Sequence, residues 1–235
     1  MMPSSVSFDA DQTLWDFHEV HQRALQSTAA EMVARNYVRE DCVDVARLQS
    51  TRDEVAQDFR GRPHSLEAVR QKSFEVFLER EGHHDAVAAA ESLTAHFLDI
   101  RFNQIRLYPD VQRSLARLKG RYRLGLLSNG NSYPDRCGLP NMFDAVVLGP
   151  DLGIEKPDVR AFMAIADKLG VDVSSMMHVG DAADDVDGAN AAGAVSVLIV
   201  RNGQRPETTS VPDYTIRDLD ELVTLLDEQK PLSHA

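Results

Sequence analysis

Val6-Ser7-Phe8-Asp9-Ala10-Asp11-Gln12-Thr13-Leu14 is the stretch on which the fold turns. A short apolar run ends in two carboxylates two residues apart, followed by a hydroxyl. Along a strand, residues i and i+2 point to the same side. Asp9 and Asp11 are therefore placed to converge just past the strand's carboxyl end, where open α/β sheets hold their ligands. Two acids held together stay ionised only if a cation sits between them or one keeps a proton. Bound Mg²⁺ shields a nucleophilic carboxylate from an anionic substrate, and a protonated carboxyl acts as a general acid. The same residues also make an ordinary acidic turn. The rest of the chain has to decide between the two.

Downstream, the character changes at once. From Trp15 to Arg106 the pattern is helical. Val20, Ala24, Met32 and Val33 share one helical face. A second helix is expected over Asp44 to Phe59. Gly61-Arg62-Pro63-His64-Ser65 is a break, with Ser65 a natural N-cap. A third helix carries Leu66, Val69, Phe74, Phe77 and Leu78, and a fourth runs from Asp85 to Phe102. From Leu107 onward, short apolar strands alternate with helices. Strands are expected at Tyr122 to Leu127, Ala145 to Leu148, Met176 to Val179, Val195 to Val200 and Tyr214 to Ile216. One helix is expected to begin at Pro157. This alternation predicts an α/β fold with a Rossmann-like, mostly parallel sheet covered by helices on both faces. The first strand must join that sheet from across the insert. The expected division is a core of residues 1–16 and 107–235, with an all-α domain at 17–106.

Composition narrows the partners. Among 235 residues, 43% are hydrophobic and 26% charged, ordinary globular values. A formal net charge of -12 disfavours a nucleic-acid partner, which needs a basic surface. An anionic substrate then requires local positive charge. Cys42 and Cys137 have no metal-ligand spacing and are expected to be reduced. Neither a signal peptide nor a run long enough to span a bilayer is visible. A soluble cytoplasmic protein, monomer or homodimer, with no membrane partner is the expectation.

Chemistry-capable residues recur at the strand ends: Asp9 and Asp11, Ser128 and Asn129, Lys156, and Asp181 with Asp185. Each has an ordinary reading. Ser128-Asn129-Gly130 is a good turn, Lys156 a solvated loop lysine, and Asp181 and Asp185 capping acids. Their joint position at one edge of a parallel sheet favours function. A phosphate monoester needs a nucleophile, a cation, donors for its oxygens and an acid for the leaving group. The set supplies each once.

The combination resembles the haloacid dehalogenase superfamily, in its phosphatase branch. The motifs that carry the resemblance are Asp9-Ala10-Asp11-Gln12-Thr13, the strand ending in Ser128, Glu155-Lys156-Pro157-Asp158, and Gly180-Asp181 through Asp185. The insert resembles the helical cap of that branch. The resemblance implies that Asp9 attacks phosphorus to give an aspartyl-phosphate, and that Asp11 protonates the leaving oxygen. It implies that Ser128 and the Asn129 backbone N–H hold phosphate oxygens, and that Lys156 neutralises nucleophile and phosphate. It also implies Mg²⁺ on Asp9, the Asp11 carbonyl and Asp181, with Asp185 direct or one step removed. The substrate would be a small phosphorylated metabolite. Gln12 departs from the glycine often found at its position. Asp184 and Asp187 crowd the place expected of Asp185. A phosphomutase or dehalogenase, or a silent metabolite- or partner-binding module, is the alternative. An acid at the Asp11 position, usually lacking in dehalogenases, favours phosphate chemistry. Arg60, Arg62 and His64 are candidates for substrate contact from the insert.

Overall fold

The computed structural model describes residues 3–201, 203 and 205–228. Its six strands are β1 (Ser5–Phe8), β2 (Arg123–Ser128), β3 (Ala145–Leu148), β4 (Met176–Gly180), β5 (Val195–Ile199) and β6 (Tyr214–Ile216). They form one sheet in the order β3-β2-β1-β4-β5-β6, and every pairing is parallel. The isolated first strand is central. Ser5 to Phe8 pairs with Arg123 to Leu126 on one side and Met176 to Val179 on the other. Both neighbours shield it, so all four of its residues are buried. That burial is why these strands read as apolar runs rather than as alternating patterns.

The helices are α1 (Phe17–Ala34), α2 (Val45–Gln57), α3 (Leu66–Arg80), α4 (Ala86–Asn103), α5 (Val111–Leu118), α6 (Gly149–Leu152), α7 (Val159–Leu169), α8 (Ala183–Ala192) and α9 (Leu219–Glu228). In the sheet unit α7 packs on β2, β3 and α8, while α5 packs on α9. Phe162, Ile165 and Leu169 of α7 and Ala189 of α8 share a core with Leu127 and Val147 of the sheet. The helix expected to open at Pro157 begins two residues later. Asp158 caps it by accepting the Arg160 N–H (2.9 Å), and Pro157 stays in the approach to it.

Two compact units result. One comprises the described parts of 1–16, 106–149 and 154–235; the other comprises 17–105 with 150–153. In the second, α1 to α4 pack around Leu25, Met32, Leu48, Phe74, Leu78, Leu93 and Phe97. Asp44 and Ser65 cap α2 and α3 through the N–H groups of Arg47 (2.8 Å) and Ala68 (3.2 Å), contacts worth about 1 kcal/mol each. Residues 150–153 join this unit from a distant part of the chain: the His64 N–H donates to the Pro150 carbonyl (2.8 Å). Nothing in the local sequence announces that pairing. No disulfide joins Cys42 and Cys137. No helix among the described residues is long and apolar enough to cross a membrane.

Candidate active site

Asp9 follows β1, Ser128 ends β2 and Asp181 follows β4. These three strands are neighbours, so the residues meet at one sheet edge. Lys156 arrives from the segment after β3. Its Nζ is buried and donates to Asp9 Oδ1 (2.5 Å) and Asp185 Oδ1 (2.6 Å). Asp9, Asp181 and Asp185 each present an oxygen, and these oxygens lie within 4.8 Å of one another. Three carboxylates against one ammonium leave two negative charges if all ionise. Carboxylate oxygens with that excess suit a hard divalent cation.

The protonation states follow from burial and neighbours. Burial pushes Asp9 well above the ordinary carboxylate range. Lys156 opposes this, while Asp185 and Asp181 add to it. Burial, then Asp185, raises Asp181 to about 6. Burial alone would lower Lys156, but Asp185 and Asp9 outweigh it and hold the ammonium above its usual range. Burial would likewise raise Asp185, yet Lys156 and His178 together hold it low. Asp185 is thus the permanently ionised anchor of the group.

The crowded fourth segment resolves by geometry. Asp185 is buried and faces Lys156, and its Oδ2 accepts the Ala182 N–H (3.0 Å). Asp184 is exposed. Asp187 turns away to accept the N–H groups of Thr209 (3.0 Å) and Ser210 (2.8 Å). Gly180 is what admits Asp185, because a Cβ there would stand 2.1 Å from the Asp185 Cγ. Both Asp185 oxygens already hold donors, so a cation would fall mainly to Asp9 and Asp181. Asp9 Oδ2 has no donor among the described residues.

Asp11 does not join the three acids. Its Oδ1 accepts from Trp15 Nε1 (2.7 Å) and Ser132 Oγ (2.6 Å). Trp15 is fully buried and serves to hold this carboxylate. The Asp9 and Asp11 carboxylates thus have different partners: Lys156 for the first, Trp15 and Ser132 for the second. Gln12 turns the loop beyond β1 with φ +63, the left-handed region that glycine enters freely. The Asp11 Oδ2 also comes within 2.7 Å of where a Gly130 Cβ would stand, so that turn has no room for a side chain.

Ser128 is buried, and its Oγ accepts the Gly130 N–H (3.0 Å). Asn129 clasps the Lys156 backbone twice: Oδ1 accepts its N–H (2.7 Å) and Nδ2 donates to its carbonyl (2.9 Å). The second and third segments are thereby locked together. Arg60 and Arg62 are exposed, and Arg62 donates to the Asp58 carbonyl (2.6 Å). His64 Nδ1 meets the Arg62 carbonyl (2.9 Å). These contacts within one loop fit its own folding.

Two supporting residues escaped the sequence reading. His178 is buried in β4 and links Ser7 Oγ (2.6 Å, at Nδ1) to Asp185 Oδ1 (3.0 Å, at Nε2). A histidine inside an apolar central strand was the available signal. Arg201 donates to the Thr13 carbonyl from Nε (3.1 Å) and Nη2 (2.7 Å) and to Asp110 Oδ1 (2.7 Å), while Thr13 Oγ1 donates to Asp181 Oδ1 (3.1 Å). Arg201 so braces the first loop from the end of β5, and no local motif marks it.

Comparison with known proteins agrees with this architecture. Residues 4–193 match the haloacid dehalogenase-like hydrolase model. Glyceraldehyde 3-phosphate phosphatase of Methanopyrus kandleri is 27% identical, across 97% of this chain and 98% of its own. N-acylneuraminate-9-phosphatase of Mus musculus is 28% identical, across 94% and 93%. The crystal structure of a 2-haloacid dehalogenase from Pseudomonas syringae pv. Tomato DC3000 superposes with a TM-score of 0.83 at 29% identity, covering 98% of this chain and all of the other. The chain belongs to the haloacid dehalogenase-like hydrolases, and it is an enzyme of that family.

Proposed function

We propose that this hydrolase is a Mg²⁺-dependent phosphatase of a small phosphorylated metabolite. The observation that carries the reading is the group of buried Asp9 and Asp185 with half-buried Asp181, its surplus negative charge around a single lysine. A carboxylate nucleophile can meet a phosphate dianion only with added positive charge. Displacing halide from a neutral carbon makes no such demand, and needs no acid at Asp11. The phosphatase relatives support the same choice.

In this reading an Asp9 oxygen attacks phosphorus, and the bond from phosphorus to the ester oxygen breaks. Asp11, held by Trp15 and Ser132, gives its proton to the departing oxygen. It then takes a proton from the water that attacks the aspartyl-phosphate, which releases inorganic phosphate and restores Asp9. Lys156 stays charged throughout and steadies Asp9. Ser128 and the Asn129 N–H hold the phosphate oxygens. Mg²⁺, bound by Asp9, the Asp11 carbonyl and Asp181, would supply charge neutralisation of phosphate and nucleophile. Asp185 fixes Lys156 and contributes charge. The insertion of the helical unit between the first and second motifs makes it the natural cap and selector of substrate.

The test is release of inorganic phosphate from a phosphometabolite panel, run beside halide release from 2-haloacids. Phosphate release that requires Mg²⁺ and vanishes in Asp9→Asn is the expected result. Full activity in excess chelator would overturn the metal assignment. Halide release without phosphate release would overturn the reaction.

A further inference from the structure

The helical unit buries a cation that no carboxylate neutralises. Arg70 of α3 is 6% exposed. Its guanidinium lies over the rings of Phe97 (4.9 Å) and Phe74 (5.7 Å). Among the described residues it forms no ion pair, and its Nη1 is buried without a hydrogen-bond partner. His21 of α1 packs edge-on against the same Phe97 ring, centroids 5.6 Å apart. Its Nε2 meets Gln49 Oε1 (3.4 Å), while its Nδ1 is a second buried atom without a partner. The His21 ring also stacks at 5.0 Å from Phe17, and the Arg101 guanidinium lies 4.9 Å over that same Phe17.

Three basic side chains thus share one aromatic frame. Their mutual repulsion is evident. Burial, then Arg52, lowers Arg70 to about 9, with Arg101 acting in the same sense and only Asp53 against it. Burial, then Arg70, lowers His21 to about 4. Asp53 is exposed and engaged with Arg52 (3.1 Å) and Gln49 (2.9 Å). Burying an unpaired charge costs more than contact with aromatic rings returns. Nearly all buried polar groups have partners, and an exception of this kind points to a missing one. His21, Gln49 and Arg52 are only half-buried, so the frame has an approach from solvent.

We propose that Arg70, with His21 and Arg101 beside it, receives a small carboxylate. A planar guanidinium fork matches a carboxylate in charge and geometry. The carboxylate belongs to a separate small acid.

One measurement on the full chain decides this: thermal unfolding without divalent ions, in malonate and in chloride of equal ionic strength. Malonate should raise the melting temperature of the parent by about 3 °C or more and leave that of Arg70→Met where chloride does. In chloride, Arg70→Met should melt at or above the parent, because methionine removes an unpaired buried charge. A cation that merely packed on its rings would instead be missed. Should Arg70→Met not fold, Arg70→Lys, which keeps the charge but loses the fork, reads the same quantity. The proposal falls if the melting response to malonate does not depend on the residue at 70.

Discussion

Lys156 in one unit and Arg70 in the other are both buried cations, and the two are opposites. Lys156, 5% exposed, is ringed by Asp9 and Asp185 at 2.5 and 2.6 Å. Arg70, 6% exposed, is ringed by phenylalanines and other basic groups. A paired buried charge is built into its surroundings: it fixes the ionisation of its partners and is costly to remove. An unpaired one strains its surroundings and is useful only when something else arrives. Burial alone does not distinguish a structural charge from a receptive one; the partners do.

The same substitution in the two places should therefore act with opposite sign, and this is the largest effect expected. Lys156→Met strands two buried carboxylates. It should lower unfolding free energy by about 3–5 kcal/mol and reduce turnover to near background. Arg70→Met should cost nothing in stability or add to it. Denaturant midpoints of both variants against the parent make the check. Equal losses for the two would break the comparison.

How much of this was legible in the chain depends on whether a residue's role is local. β1 was readable because its flanking acids and hydroxyl stand in a row; that it joins the sheet was expected, and its central place is what the structure adds. Asp181 was readable because it lies directly after β4, and Lys156 and Asp185 because they stand in the segments that follow β3 and β4. The anchoring of the Asp11 carboxylate was not readable. It depends on Trp15 and Ser132, one of them more than a hundred residues away. Arg201 and His178 act through partners brought from other strands. Arg70 gave the least warning. On a helical wheel it is one charged residue among many on α3, and only tertiary packing puts Phe97 and His21 around it. Arg60, Arg62 and His64 stood in a polar break between helices, a pattern that a solvated loop shares.

The next effect sharpens the role of Asp11 within the paired unit. Asp11→Asn keeps the loop carbonyl and most of the shape while removing the proton that a poor leaving group needs. Formation of the aspartyl-phosphate from a sugar phosphate should slow by roughly 10²-fold, and from nitrophenyl phosphate far less, because nitrophenolate leaves readily without a proton. Single-turnover, rapid-mix kinetics isolate that step from hydrolysis of the intermediate. Equal slowing for both substrates would remove Asp11 from the acid role.

The smallest effect contrasts the buried His178 with the half-buried His21. Burial lowers His178, while Asp185 at 3.0 Å pulls the other way. His21 has no such carboxylate. Burial, then Arg70, with Arg101 and Arg52 adding to it, takes it to about 4 against an ordinary 6.5; only its bond to Gln49 acts in the opposite direction. The unfolded chain takes up a proton at His21 near pH 6.5, and the folded chain only near pH 4. Between those values the unfolded state binds more protons, so this residue makes the protein less stable as pH falls. Its contribution is complete above about pH 6.5 and is lost towards pH 4, a span worth roughly 3 kcal/mol at most, since each pKa unit corresponds to about 1.4 kcal/mol. His21→Gln cannot titrate and should remove that part of the acid sensitivity. Carboxylates and His178 titrate in parent and variant alike, so the quantity to read is the difference between their stabilities, measured by denaturant unfolding at a series of pH values. The difference should be flat above pH 6.5 and move in favour of the variant below it. Added malonate should shrink it, because a carboxylate beside Arg70 offsets the charges that hold His21 down. A difference that is flat from pH 7 to pH 4 would show that His21 is not under the field of the arginines, and the contrast between the two units would then rest on Arg70 alone.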